Sequence, residues 1–194
     1  MRGIVLLEHV SLDGYVAGPN GEMDWIRFDD ELVEDVERLT ADADAAIFGR
    51  VTYQLMEGYW PTAAESPSAT KHDIDHSRWV NNAPKYVFSR TLQNAPWGKW
   101  NNVRLVRDNF AEELRDLKQQ PGKNLLMIGS AGLAQAFMRL GLIDDYRINV
   151  NPVVLGGGKP LFHDTGAKIN LKLVESRRFK SGVVGLHYET ANKS

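Results

Sequence analysis

The sequence predicts one α/β domain over residues 1–194, with a mainly parallel central sheet, antiparallel strands at the C-terminal edge and flanking helices. Two observations lead to this prediction. Short apolar runs alternate with amphipathic helical segments up to about residue 140, whereas extended segments follow one another beyond it. No linker, internal repeat or low-complexity tract divides the chain.

Each predicted element follows from the spacing of its apolar residues. Continuous short apolar runs predict buried strands at 4–7, 45–48, 86–88, 103–106 and 125–128. Apolar residues at helical spacing predict helices at 32–39, 51–56, 110–117 and 133–140. An extended stretch at 143–154 and a hairpin formed by 171–179 and 183–188 complete the sheet. Turn residues predict a mobile loop over 10–25, and weak periodicity predicts a second long loop over 59–76.

Composition limits the classes of function. The chain has no cysteine, which excludes disulfides, thiolate metal sites and a cysteine nucleophile, and favours a reducing, cytoplasmic location. The formal net charge is −2 with both signs mixed, so neither nucleic acid nor a membrane surface is an expected partner. The N-terminus lacks a signal-peptide pattern, and no apolar run is long enough to span a bilayer. A small molecule is the expected partner.

Three strand ends carry residues suited to bind an anion. They are Gly49-Arg50-Val51-Thr52, Ser89-Arg90-Thr91 and Gly129-Ser130-Ala131-Gly132. The carboxyl ends of parallel strands share one edge, so these turns are expected to meet in one crevice. Glycines allow backbone N–H groups to approach a phosphate, following helices direct their positive ends at it, and arginines add bidentate contacts. Taken singly, each turn is better explained by a helix cap and a solvated arginine, and only the three turns together favour an anion site.

Seven motifs in order along the chain resemble a known family. They are Ser11-Leu12-Asp13-Gly14, Met23-Asp24-Trp25, Gly49-Arg50-Val51-Thr52-Tyr53, Val87-Phe88-Ser89-Arg90-Thr91-Leu92, Ile128-Gly129-Ser130-Ala131-Gly132-Leu133, Gly141-Leu142-Ile143-Asp144 and Pro152-Val153-Val154-Leu155-Gly156. The set resembles the dihydrofolate-reductase-like fold, and within it the reductase domain of bifunctional riboflavin-biosynthesis enzymes. The resemblance implies a three-layer fold and, without cysteine ligands, a stand-alone member lacking the zinc deaminase domain.

The resemblance also implies NADPH binding and hydride transfer to a small heterocyclic or conjugated substrate. In such proteins Gly49, Arg50 and Thr52 would hold phosphates. Ser89, Arg90 and Thr91 would lie by the adenosine ribose, with Arg90 on the 2′-phosphate. The turn residues Gly129, Ser130, Ala131, Gly132 and Leu133 would follow the pyrophosphate. The loop that starts at Val10 and runs to Trp25 would close over the nicotinamide.

The chain departs from the riboflavin enzymes in its first helix. Their helix carries an arginine that resembles a grip for the substrate's ribose phosphate, whereas the corresponding stretch here is Glu34-Asp35-Val36-Glu37. Acidic residues would repel a phosphorylated substrate. The sequence therefore predicts a reductase that is similar to 5-amino-6-(5-phosphoribosylamino)uracil reductase and dihydrofolate reductase but acts on a different substrate.

Several residues are candidates for the substrate side. The resemblance to dihydrofolate reductase implies a substrate-binding carboxylate on the first helix. Counting forward from Trp25 places it at Asp30, whereas counting back from Gly49 places it near Val33, and the alternative role of Asp30 is a helix-start aspartate. Asp13 is either catalytic or a turn former beside Gly14. Trp25 and Trp60 are predicted at the pocket mouth. Gly156 and Gly157 are predicted to form a flexible turn near the substrate, since Pro160 excludes a Walker motif.

Alternatives remain open from the sequence alone. His72 and His76 have the i,i+4 spacing of a helical metal site, but their polar surroundings favour a solvated loop, so no metal is predicted. The apolar C-terminal strands could form the surface of a homodimer. An NADP(H)-binding or interaction protein without turnover is the main alternative function, and a flavin-binding protein is a weaker one.

Overall fold

The computed structural model describes residues 1–191. Numbered along the chain, the strands are β1 (Ile4–Val10), β2 (Tyr15–Ala17), β3 (Ala43–Gly49), β4 (Lys85–Phe88), β5 (Val103–Val106), β6 (Asn124–Ile128), β7 (Asp145–Val150), β8 (Lys159–Pro160), β9 (Leu171–Arg178) and β10 (Val184–Thr190). The helices are α1 (Asp30–Ala41), α2 (Arg50–Glu57), α3 (Trp60–Ala63), α4 (Lys71–Asn82), α5 (Phe110–Gln119) and α6 (Ala131–Arg139).

Eight strands form the central sheet in the order β5-β4-β3-β6-β1-β7-β10-β9. The pairs from β5 to β7 are all parallel, whereas β10 is antiparallel to both β7 and β9. The predicted mainly parallel sheet with antiparallel C-terminal strands is therefore confirmed. A second, two-stranded sheet joins β2 to β8 outside the main one.

Burial on both faces explains the continuous apolar run of β1. Ile4 and Leu6 pack in the cluster that contains residues of α5 and α6, whereas Val5 and Leu7 pack against Val36 of α1. Helices thus cover both faces of the parallel strands, which gives three layers. None of the helices in the described part of the chain has the length and apolarity needed to span a bilayer.

The expected loop over 59–76 is wrong, because this stretch contains α3 and the first half of α4. A capping box starts α4: the Thr70 side chain accepts from the Asp73 backbone N–H, and the Asp73 side chain accepts from the Thr70 backbone N–H. The inward face of α4 is largely polar and includes His76, Ser77 and Asn81. Apolar periodicity therefore gives little signal here. His76 is buried, not solvated as predicted.

Candidate active site

Two glycine turns at the carboxyl edge of the sheet are in direct contact. Gly49 is the last residue of β3, and its N–H donates to the Oγ of Ser130, two residues after the end of β6, at 2.8 Å. A Cβ on Gly49 would lie 2.9 Å from that oxygen, and a Cβ on Gly129 would lie 3.2 Å from the Thr52 side chain. A side chain at either position would crowd the neighbouring turn, so glycine at both positions favours this close approach.

The turn before α6 has an unusual backbone. Gly129 and Ser130 are consecutive left-handed residues, with φ of 61° and 68°. The Ser130 hydroxyl bonds to Gly49 and makes no hydrogen bond that caps its own helix. Successive left-handed and helical residues direct their N–H groups into one concavity that suits an anion. Gly132 has nothing within 4 Å of the position of a Cβ, so the concavity is open beside it.

The second helix N-terminus lies beside the first. Gly49 is the N-cap of α2 and supplies no side-chain hydrogen bond, and the first turn of α2 contains no acidic residue. Arg50 is exposed at its start, with its Nη1 3.3 Å from the Gln54 Oε1. Two uncapped helix N-termini with their partial positive charges therefore meet at one edge.

The third predicted turn adjoins the first. Gly49 of β3 is paired with Phe88 of β4, so Ser89 and Arg90 continue along the same edge. The buried Ser89 Oγ accepts from the Thr91 and Leu92 N–H groups, both at 3.2 Å, which fixes the turn. The Arg90 guanidinium lies 5.5 Å from the centre of the Phe110 ring. The structure brings the three turns to one edge, as the sequence predicts.

Asp13 ties two loops together. Its carboxylate accepts from the Ser11 hydroxyl at 2.6 Å and from the N–H groups of Gly156 and Leu155 at 2.8 and 3.1 Å. The Ser11 hydrogen bond, with the backbone hydrogen bonds, lowers the pKa of Asp13. An ionised carboxylate with these partners holds the 10–25 loop in place, which supports the turn-forming alternative for Asp13.

Asn151 also holds the 10–25 loop, through hydrogen bonds near its two ends. It is fully buried; its N–H donates to the Val10 carbonyl at 2.7 Å, and its Oδ1 accepts from the Arg27 N–H at 2.8 Å. Part of the predicted mobile loop is extended, because Tyr15–Ala17 pairs with Lys159–Pro160. A Cβ added to Gly156 or Gly157 would meet nothing within 4 Å, so that turn is open.

The substrate-side candidates do not form one cluster. Asp30 is exposed as the first residue of α1, and the N-cap is Asp29, whose side chain accepts from the Leu32 N–H. The Trp25 indole N–H donates to the Glu22 carbonyl within the loop. Trp60 instead packs on α4, with its ring 4.3 Å from the His76 ring. Trp60 therefore contacts the helices rather than the 10–25 loop.

Glu8 is a buried acid that none of the sequence motifs includes. It lies on β1, is 5 % exposed, and its Oε1 is buried with no hydrogen-bond partner in the described part of the chain. Burial raises the pKa of Glu8 to about 8, opposed by the charge of Lys159. The adjacent His9 has a buried Nδ1, and burial lowers its pKa to about 4. The signal in the sequence is an acid that directly follows an apolar run.

Similarity to known proteins agrees with this geometry. A family model described as the RibD C-terminal domain matches residues 2–185. The chain belongs to the RibD C-terminal domain family. It is 39% identical over 189 residues to the uncharacterized protein YyaP of Bacillus subtilis, covering 96% of this chain and 94% of that one.

Solved structures agree with the RibD C-terminal assignment. A protein from Shewanella sp. PV-4, named for riboflavin biosynthesis, is 25% identical with a TM-score of 0.76, over 99% of this chain and 100% of that one. A pyrimidine reductase-like protein from Corynebacterium diphtheriae has a TM-score of 0.68 at 15% identity, over 99% and 93% of the two chains, which supports the fold alone. The RibD C-terminal family has the dihydrofolate-reductase-like fold that the sequence predicts.

Proposed function

We propose that the protein is an NADPH-dependent reductase of a small heterocyclic or conjugated molecule. The observation that carries the proposal is the direct contact of the two glycine turns through Gly49 and Ser130. This contact places two uncapped helix N-termini at one edge of the sheet, where a pyrophosphate would be neutralised by backbone N–H groups. Membership of a reductase-related family supports the same conclusion.

The residues present fit a dinucleotide. The missing side chains at Gly49 and Gly129 let the backbone of the two turns come together, and the open surface at Gly132 leaves room for phosphate oxygens. Arg50 and Arg90 are exposed cations at the same edge. Bound NADPH would supply the hydride from C4 of its nicotinamide. The protein's contribution would be to position the reactants and to exclude water from between them.

Arg90 is the residue proposed to distinguish NADPH from NADH. Its guanidinium stacks over Phe110, which limits its motion and leaves its N–H groups available to a dianionic 2′-phosphate. The 10–25 loop, held by Asp13 and Asn151, is proposed to cover the nicotinamide end beside Val10. Substrate would then bind on the side of β1 that lies away from the two glycine turns.

A fluorescence titration with NADPH and NADH tests the cofactor assignment. Arg90→Gln should weaken NADPH roughly tenfold to a hundredfold, since a charge-assisted hydrogen bond is lost, and should leave NADH unchanged. Arg139→Gln is the matched control, because Arg139 bonds to the Asp164 carbonyl at the other end of α6. Failure of the wild-type protein to bind either nucleotide at millimolar concentration would refute the proposal.

Turnover separates a reductase from a protein that only binds NADP(H). Asp13 is tied into the loop and ionised, and this observation favours the binding-only alternative, because it removes one candidate proton donor. Oxidation of NADPH should be followed with pterins, flavin precursors and quinones. Sustained turnover with any of them supports the reductase, whereas tight NADPH binding without turnover supports the alternative.

A further inference from the structure

Glu8 lies level with the glycine turn that precedes α6. Leu7 of β1 is paired with Ile128 of β6, and the next hydrogen bond between these strands joins the Gly129 N–H to the Leu7 carbonyl at 3.1 Å. Glu8 therefore stands beside that turn, and two residues of a strand, about 6.6 Å, separate it from Val10. The proposed cofactor passes between the same two points, from its pyrophosphate at the turn to its nicotinamide at Val10.

The side chain of Glu8 is on the face of the sheet that α6 covers. Leu6 and Val10 precede and follow Glu8 by two positions, and both pack in the apolar cluster that includes the buried side of α6. Ile148, which is paired with Glu8 on β7, belongs to the same cluster. The carboxyl group is therefore placed among apolar side chains, on the face from which α6 directs its N-terminal N–H groups toward the edge.

No hydrogen bond within residues 1–191 accounts for the buried oxygen of Glu8. Its Oε1 is buried without a partner, and the residue is only 5 % exposed. Burial keeps the carboxyl group protonated at neutral pH, because it raises the pKa of Glu8 to about 8. A buried polar group without a hydrogen bond costs free energy, whereas a protonated acid can donate its O–H to a ligand. The packing of the fold alone thus gives no reason for an acid at this position.

Lys159 of β8 is the charged group that acts on Glu8. Its positive charge lowers the pKa of Glu8 against the larger effect of burial. Tyr146 of β7 packs in the same cluster, and burial raises its pKa to about 12, so it stays neutral. Helix α6 has no acidic residue in its first turn, and its basic residue Arg139 lies in its last turn. Asp13 of the 10–25 loop is held by its own hydrogen bonds, which lower its pKa. Of these groups, Glu8 is the one whose charge changes near neutral pH.

We propose that Glu8 contacts the nicotinamide ring of the cofactor and gives up its proton when the ring becomes positively charged. This inference rests on the proposed reductase function. Hydride transfer from the reduced ring to the substrate moves two electrons and one proton, and it leaves the ring as a cation. The O–H bond of Glu8 then breaks, its proton passes to water, and the carboxylate pairs with the cation. The net charge of the site is unchanged, since a neutral acid beside a neutral ring becomes an anion beside a cation.

This exchange of a proton for a charge has two consequences. It lowers the barrier to hydride transfer, because an opposite charge stabilises the cation as it forms in a site with little water. It also couples the protonation of Glu8 to the redox state of the cofactor. The coupling is reciprocal, so NADP⁺ lowers the pKa of Glu8 and a higher pH tightens the binding of NADP⁺. NADPH has a neutral ring and lacks this coupling, and a merely structural role for Glu8 would not produce it.

The affinities of the full chain for NADP⁺ and NADPH at a series of pH values test the inference. From pH 6 to pH 8 the wild-type affinity for NADP⁺ should rise at least about fivefold relative to that for NADPH. The two cofactors carry the same phosphates, so the ionisation of the phosphates cancels in this ratio. In Glu8→Gln, which keeps the shape but cannot ionise, the ratio should not change with pH. Glu65→Gln is the matched control and should behave as wild type, because Glu65 is exposed and pairs with Lys99, which precedes the amino end of β5.

Proton release on binding gives a second readout that needs no turnover. Calorimetric titrations at pH 7, in two buffers of different ionisation enthalpy, count the protons that binding releases. The wild-type protein should release about half a proton more with NADP⁺ than with NADPH, as the linkage between charge and protonation requires. Glu8→Gln should show no difference between the two cofactors. A difference that persists in Glu8→Gln would assign the proton to another group and overturn the inference.

The outcomes separate this inference from the proposed function. If both cofactors bind and the wild-type affinity ratio does not depend on pH, the inference is overturned and the reductase proposal stands. If NADP⁺ and NADPH weaken equally as pH rises, and only in the wild type, Glu8 lies beside the phosphates and the nicotinamide contact is overturned. If neither nucleotide binds, both proposals fail.

The rate of hydride transfer tests whether the contact is catalytic. In a single turnover of NADPH with an active pterin, flavin precursor or quinone, Glu8→Gln should be roughly tenfold to a hundredfold slower than wild type. Its affinity for NADPH at pH 7 should be unchanged, since Glu8 is then protonated and neutral in the wild type. A wild-type rate in Glu8→Gln would show that Glu8 does not act on the ring and would overturn the inference.

Discussion

The edge of the sheet that carries the glycine turns and the buried centre of the sheet present different kinds of polar group. At the edge, the polar groups proposed to bind the cofactor are backbone N–H groups, and side chains added at Gly49 and Gly129 would crowd the neighbouring turn. In the centre, two side-chain atoms are buried without a hydrogen-bond partner among the described residues: Oε1 of Glu8 on one face and Nε of Arg147 on the other. The edge should therefore be sensitive to steric changes, and the centre to changes of charge.

The largest effect is expected from Glu8. Its pKa of about 8 in the folded protein exceeds the ordinary 4.5, so between these values the folded state holds a proton that the unfolded state has released. Stability must then fall as pH rises through that window. From pH 6.5 to 8 the wild-type protein should lose about 2 kcal/mol of unfolding free energy, and Glu8→Gln should remove this loss. Urea unfolding at a series of pH values measures it.

The unfolding free energy measured at acid pH supplies the control. Burial lowers the pKa of His9 to about 4 and that of His76 to about 3, so both should stay neutral in the folded protein. Stability from these groups is lost as pH falls below 6.5, and Glu8→Gln should leave that loss in place. An alkaline decline that persists in Glu8→Gln would show that another group is responsible.

Gly129→Ala should have the next largest effect. Gly129 has a φ of 61°, and an added Cβ would lie 3.2 Å from Thr52, so both backbone strain and crowding follow. Gly141 has a φ of 63° with nothing within 4 Å, so Gly141→Ala carries the strain alone. Each should cost about 1–2 kcal/mol of stability, but only Gly129→Ala should weaken NADPH, by about tenfold or more. Equal NADPH affinity in the two variants would show that crowding at Gly129 does not affect NADPH binding.

Ser130 tests the bond between the two turns. Ser130→Ala removes the acceptor for the Gly49 N–H while keeping a side chain at a φ of 68°, so it should cost about 1 kcal/mol. Ser130→Gly loses the same bond but relieves the left-handed strain, and it should be close to wild type in stability. Denaturant unfolding ranks the two variants, and an Ala variant as stable as the Gly variant would argue against strain here.

The smallest effect is expected from Asp13→Asn. If Asp13 only holds the loop, the rate of NADPH oxidation with an active substrate should fall by less than about tenfold, with an unchanged pH profile. A general acid or base contributes roughly 10²–10⁴-fold. A loss in that range, together with a shifted pH profile, would instead make Asp13 a catalytic residue.

Local signals explain what the sequence could predict. The turns at Gly49 and Gly129 follow apolar runs directly, so both their strands and their common edge can be predicted without any knowledge of distant contacts. Apolar periodicity does not predict helix α4, because the buried face of the helix is largely polar. Thr70 and Asp73 nevertheless have the spacing of a capping box.

The small cleft between α1 and the C-terminal strands could not be predicted in the same way. Its lining comes from β1, α1, β7, β9 and β10, and their meeting depends on strand register rather than on any one motif. The alternation in Tyr146-Arg147-Ile148-Asn149 shows that one face of β7 is polar, but not what covers it. Position in the sequence also did not determine the contacts of Asp30 and Trp60. Asp30 is exposed at the start of α1, and Trp60 packs on α4.

The position of β1 has a consequence for how the chain acquires its structure. In the main sheet, β1 pairs only with β6 and β7, so Ile4 meets Leu125 and Val5 meets Asp145. Strands β4 and β5, by contrast, pair only with strands next to them in the chain within the described sheet, β4 with β3 and β5, and β5 with β4. During synthesis on a ribosome, β1 must wait with its apolar side chains exposed until β6 and β7 have emerged. Strand β1 is thus enclosed later than β4 and β5, which pair with the strands next to them in the chain.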